Sequence, residues 1–192
     1  MVTRLLLQGP EAAHWYAVVK TWRKSPEILG LVDINELHRN GGEIVKKVLI
    51  AYFSLTGKTE KMAEYIAEGV RFSGQQAVAK KISDIKTTND LSGYDGCIFG
   101  SPTYHRDMAE PMKTFLFLAR KASLEGKLAG AFGSYTHSGD APAVIFDTMQ
   151  YVYKMQPFEL GSFNLKEAVV ETSEGMRACQ DYGKAFGEKL GV

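Results

Sequence analysis

A chain of 192 residues, 45% hydrophobic and 23% charged, suits one globular domain with roughly forty residues to spare, because about 150 residues is usual for a domain. Its 23 Lys and Arg against 22 Asp and Glu leave a net charge of +1, which argues against a nucleic-acid partner and against a charged disordered tail. The apolar runs are too short for a membrane span, Met1 to Pro10 is too short and wrongly composed for a signal peptide, and the expected compartment is the cytoplasm.

The first 46 residues differ in character from the rest and read as a helical extension. Ala12, Trp15, Tyr16, Val19 and Trp22 share one helical face, and Asp33 followed by Glu36 has capping-box spacing. Asn40 to Glu43 reads as a hinge. Such a segment has too little core to fold alone, so its apolar stripe must be buried on the main body or in a homo-oligomer. His14 and His38 in it read as surface residues.

From residue 47 to residue 192 short apolar runs alternate with amphipathic ones. Lys47 to Phe53 is nearly continuous in apolar residues, as in a parallel strand covered on both faces. Met62, Tyr65, Ile66, Gly69 and Val70 then mark a helix by their three-and-four spacing. Gln76 to Ile82 is more polar and reads as an edge strand. Tyr94 to Ser101 is a third strand, and Met108, Met112, Phe115, Leu116 and Ala119 trace the next helical face. Lys127 to Tyr135 is a fourth strand, with a helix from about Ala141 to Lys154. The last strand region joins "FELGSF" to Ala168–Thr172, and Met176, Cys179, Gly183, Phe186 and Leu190 stripe a closing helix. Strand-helix alternation of this kind needs right-handed crossovers and predicts a three-layer α/β sandwich on a parallel sheet. Cys97 and Cys179 fall on buried faces and read as inert small hydrophobes.

Ligands of such sheets bind beyond the carboxyl ends of the strands, so three loops matter together: Ser54–Thr59, Ser101–Met108 and Ser134–Ala141. The first ends in Gly57-Lys58-Thr59, like an ATP-binding P-loop, but the P-loop's earlier glycine is here Tyr52, which cannot curl round two phosphates. Short hydroxyl side chains at a helix start suit a single phosphate, or else merely cap the helix. The other two loops carry planar side chains, Tyr104 and His105 in one and Tyr135 and His137 in the other, which suit a ligand with a π-face. No metal site is evident.

Ser54-Leu55-Thr56-Gly57-Lys58-Thr59 matches the Ser/Thr-x-Thr-Gly-x-Thr loop of the flavodoxin family, which the chain resembles from Lys47 to about Leu190. "FGSPTYHRDMAEPMKTFL" is similar to the second flavin loop of the wider family, including the tryptophan-repressor-binding-type quinone reductases. "AFGSYTHSGDA" is similar to the third loop of flavodiiron proteins, usually "GSYGWSGGA", with Thr136 and His137 replacing the glycine and tryptophan. The resemblance implies a flavodoxin-like sandwich with a five-stranded parallel sheet ordered 2-1-3-4-5, and non-covalent FMN. Ser54, Leu55, Thr56, Gly57, Lys58 and Thr59 would hold the phosphate. Pro102, Thr103, Tyr104 and His105 would lie along one edge of the isoalloxazine, and Ser134, Tyr135, Thr136, His137, Ser138 and Gly139 along the other. His105 and His137 are candidates for tuning the flavin or delivering a proton.

Three functions are compatible with this resemblance: an oxidoreductase passing electrons from NAD(P)H to a quinone, an electron carrier docking a redox partner protein, and a cofactor-free module. The intact first loop argues against the last. The near-neutral charge, unlike that of the acidic carriers, favours the enzyme.

Overall fold

The computed structural model describes residues 45–192, so the expectations for the helical extension lie outside the described residues. Five parallel strands form one sheet: β1 (Lys47–Tyr52), β2 (Gln76–Lys81), β3 (Gly96–Gly100), β6 (Leu128–Tyr135) and β7 (Gln156–Lys166). Their order is β2-β1-β3-β6-β7, the expected doubly wound arrangement. Alternation explains why the inner strands are apolar throughout. Along β1, Leu49 and Ala51 enter one core while Val48, Ile50 and Tyr52 enter the other.

On one face lie α1 (Lys58–Phe72) and the closing helix α5 (Ser173–Leu190), packed against Ile98, Phe132 and Phe158. These two helices approach closely where they lack side chains. A Cβ on Gly69 would sit 2.0 Å from the Gln180 carbonyl oxygen, and one on Gly183 would sit 2.1 Å from that of Ile66. Thr172 opens α5 by accepting from the Gly175 N–H at 3.1 Å. The other face carries α2 (Glu110–Ala119) and α3 (Ala141–Asp147), with Phe115 edge-on to Phe99 of the sheet.

Several expected boundaries shift. Met108 lies in a two-stranded hairpin, β4 (Thr103–Tyr104) with β5 (Asp107–Met108), because α2 begins only at Glu110 after Ala109 in an extended conformation. The helix expected to run to Lys154 is α-helical only to Asp147; a π-turn follows over Thr148–Val152, where the Thr148 hydroxyl donates back to the Val144 carbonyl at 2.8 Å. Ala168–Thr172, expected to complete the last strand, instead contributes to the short helix α4 (Glu167–Val170). Strand β7 reaches Lys166 before it, and a bulge inside β7 places Phe158, Glu159, Leu160 and Gly161 opposite Gly130.

Candidate functional site

The carboxyl ends of β1, β3 and β6 bring the three expected loops to one edge of the sheet. After β1, Gly57 takes a left-handed conformation (φ 87°) and serves as the N-cap of α1, while its N–H donates to Ser54 Oγ at 3.1 Å. The amides of Leu55, Thr56, Lys58, Thr59 and Glu60 donate to no acceptor among the described residues. The loop therefore presents a set of free N–H groups at the positive end of a 15-residue helix, an arrangement that binds an anionic oxygen group.

The side chains of this loop divide the work. Thr56 is exposed and its hydroxyl has no protein partner among the described residues. Thr59 is buried, and its Oγ1 shares a hydrogen bond with Ser134 Oγ, 3.0 Å away at the end of β6. Lys58 Nζ is engaged by Glu171, just before α5, whose carboxyl it holds below the usual range. The lysine is thus already paired, so the amides and the hydroxyls of Ser54, which only accepts from Gly57, and Thr56 are the donors the loop leaves free for an anion among the described residues.

The second loop is a tight hairpin. Buried Ser101 shapes its base, donating from Oγ to the Pro102 carbonyl and accepting from the Ala109 N–H, each at 3.0 Å. Thr103, also buried, accepts from the Ala141 N–H at 3.2 Å, so the hairpin is joined to the start of α3. At the tip His105 (φ 50°) and Arg106 (φ 65°) are both left-handed, the signature of a type I′ turn built without glycine. Each such residue costs about 1–2 kcal/mol, so the surroundings must hold this turn. Arg106 does part of this by pairing with Asp140 at 3.5 Å across to the third loop.

The third loop follows β6. Tyr135 is half-buried, Thr136 and His137 are exposed, and the Gly139 carbonyl accepts from Asn164 of β7 at 3.4 Å. Ser138 donates to Asp140, and this bond, then Arg106, holds the Asp140 carboxyl below the usual carboxylate range. Two buried side-chain oxygens have no hydrogen-bond partner among the described residues: Tyr104 Oη in the second loop and Asp140 Oδ2 in the third. Burial, then the charge of Glu167, pushes the Tyr104 phenol up. Orphaned buried oxygens are rare, and two of them in adjoining loops suit a ligand that can supply donors.

The flavodoxin family model matches residues 50–156 of this chain. The chain belongs to the flavodoxin family. It is 40% identical over 88 residues to a flavodoxin of Clostridium saccharobutylicum, covering 46% of this chain and 55% of that protein. It is 35% identical over 127 residues to an NAD(P)H dehydrogenase (quinone) of Gluconacetobacter diazotrophicus, covering 54% of this chain and 64% of that protein. It thus spans less than two thirds of either relative. Among solved structures, a flavodoxin from the domain Archaea superposes with TM-score 0.67 at 27% identity, covering 75% of this chain and 98% of that one. The flavodiiron protein of Giardia intestinalis shares the fold alone, with TM-score 0.66 at 23% identity over 78% of this chain and 37% of that one.

The family's cofactor is FMN, and the residues present fit it. The free amides of the first loop suit its phosphate, and the two orphaned oxygens suit the N–H and O–H donors of the ring and ribityl chain. Among the described residues no cluster of His, Cys, Asp and Glu is arranged for a metal ion, and no helix is long and apolar enough to cross a membrane. Ser101, Arg106, Asp140 and Glu171 are part of this arrangement and were not among the residues expected from the sequence. Asp140 was legible there only as an acid ahead of Ala141-Pro142, which reads as a helix cap.

Proposed function

We propose that this flavodoxin-family protein is an FMN oxidoreductase that takes hydride from NAD(P)H and passes its two electrons and one proton, with a second proton from water, to a quinone or similar acceptor. Bound FMN supplies the electron-transfer chemistry; the protein binds it, orients it and controls access. The observation that carries this reading is an open concavity of about 430 Å³ beside the second loop, walled by Phe53, Leu55, Tyr104, Met108 and Pro111. A flat aromatic group fits beside these side chains, and an opening of this size leaves room for a small acceptor next to bound flavin. The similarity to a quinone dehydrogenase and the net charge of +1 support the same reading.

A carrier function is the second reading, favoured by the similarity to a flavodoxin and by Leu55, whose side chain stands 73% exposed at the tip of the first loop as a contact for a partner protein. FMN-loaded protein mixed with NADH or NADPH separates the two. Oxidation of the nicotinamide that depends on added quinone is expected. No quinone-dependent oxidation, from protein whose flavin dithionite reduces normally, would leave the carrier.

A further inference from the structure

Aspartate directly before a helix ordinarily accepts from the amides of the first turn. Asp140 occupies the N-cap position of α3 and makes no such bond. One of its oxygens, Oδ1, faces Arg106 of the hairpin instead, Ser138 of its own loop donates to the carboxylate, and the other oxygen, Oδ2, is buried with no partner among the described residues. The held position has its own cost, because Arg106 reaches Asp140 from a left-handed backbone. The side chain is one-third exposed, yet this one oxygen is covered and unpaired, so a carboxylate taken off its capping duty and held by Arg106 is left with a lone pair available to a donor. Its loop is one of the two that flank the cleft of the cofactor.

We propose that Asp140 is a cofactor-facing acceptor: held by Arg106 and Ser138, its buried oxygen receives a hydrogen bond from an N–H or O–H donor of bound FMN. Arg106 and Ser138 are positioning residues in this arrangement. Oxidised FMN offers two kinds of neutral donor, the imide N–H of the ring and the ribityl hydroxyls, and a carboxylate accepts from either.

The test measures the affinity of D140A, D140N and R106A apo-protein for FMN by quenching of flavin fluorescence, together with the melting temperature of each apo-protein. Loss of a bond to a charged acceptor is expected to weaken FMN binding by roughly ten-fold or more in D140A. The apo melting temperature should fall no further than in R106A, which breaks the same ion pair but keeps the carboxylate. In D140N the amide keeps its oxygen toward Arg106 and turns its NH2 toward the cleft, donor against donor, so a loss of similar size is expected there; this variant decides alone should D140A not fold. FMN affinity within two-fold of wild type overturns the proposal. So does a loss of affinity no larger than that of R106A, which would assign Asp140 to holding the hairpin rather than to the cofactor. Binding of 3-methyl-FMN then tells the donors apart: its penalty against FMN disappears in D140N if the imide N–H is the partner and persists unchanged if a ribityl hydroxyl is, either pattern supporting the acceptor role.

Discussion

Thr59 Oγ1 and Ser134 Oγ lie 3.0 Å apart in the protein interior, joining the start of α1 to the end of β6. The first and third loops of the candidate site are therefore fastened to each other by a pair of hydroxyls. Removing one member leaves the other buried and unsatisfied, which costs about 1–3 kcal/mol, whereas removing both is milder. T59V and S134A are each expected to lower the denaturation midpoint of the apo-protein, and T59V/S134A should lose clearly less than their sum. Additive losses in urea titrations would show that the two hydroxyls do not act as a pair.

Thr56 stands in the opposite situation, exposed in the same loop with its hydroxyl free of partners among the described residues. T56V should leave apo-protein stability nearly unchanged and weaken FMN by about 1–3 kcal/mol, as for one lost bond to a charged group. Riboflavin, which has no phosphate, serves as the control. Its affinity should be the same for T56V and wild type, and an equal loss for both ligands would remove Thr56 from the phosphate site.

Gly57 has open space around the position of a Cβ, so the effect of a methyl there is conformational rather than steric. At φ 87°, G57A is expected to cost about 1–2 kcal/mol, read as a lower melting temperature, and to disturb FMN affinity by tilting the free amides of Leu55, Thr56 and Lys58. Unaltered stability would mean that the loop relaxes into a right-handed conformation at no cost.

At Gly183 the reverse holds, because the obstacle is steric. Its added Cβ would meet the Ile66 backbone oxygen at 2.1 Å, so α1 and α5 must separate to admit it. G183A should destabilise the fold by roughly 1–3 kcal/mol or more, in the manner of an overpacked core. FMN affinity of the fraction that remains folded should change little, since the contact is between helices rather than in the loops. Circular dichroism melts alongside FMN titrations check both halves.

Alkaline pH provides a separate test of the core. Burial pushes the Cys97 thiol from 9.0 up to about 12 and the Tyr153 phenol from 10.0 up to about 12. A folded-state pKa raised above the unfolded one means that the native state keeps its proton longer, so these contributions are whole below about pH 9 and are lost as pH rises through 12. The urea midpoint should begin to fall near pH 9, and Cys97 should not react with a thiol reagent in the native state below that pH. A midpoint flat from pH 8 to 11 would contradict it.

What the amino-acid order determined by itself was the architecture and which three loops meet at one edge of the sheet. The alternation of Leu49 and Ala51 with Val48, Ile50 and Tyr52 can be satisfied only by a strand covered on both sides, and that periodicity is local information. Likewise Ser54 to Thr59 carries the chemistry of a phosphate loop within six consecutive residues. Tertiary structure decided which of those groups are free. Thr56 and Thr59 look alike in sequence, but Ser134, 75 positions further on, engages Thr59, and Glu171, 113 positions away, engages Lys58. Asp140 reads as a helix cap until Arg106, from a turn of two left-handed residues that no glycine announces, pairs with its carboxylate across the loops. Hydrogen bonds and charges act through space, so a side chain's partner, and with it the part that side chain can play toward FMN, follows from folding distant segments together rather than from its neighbours in the chain.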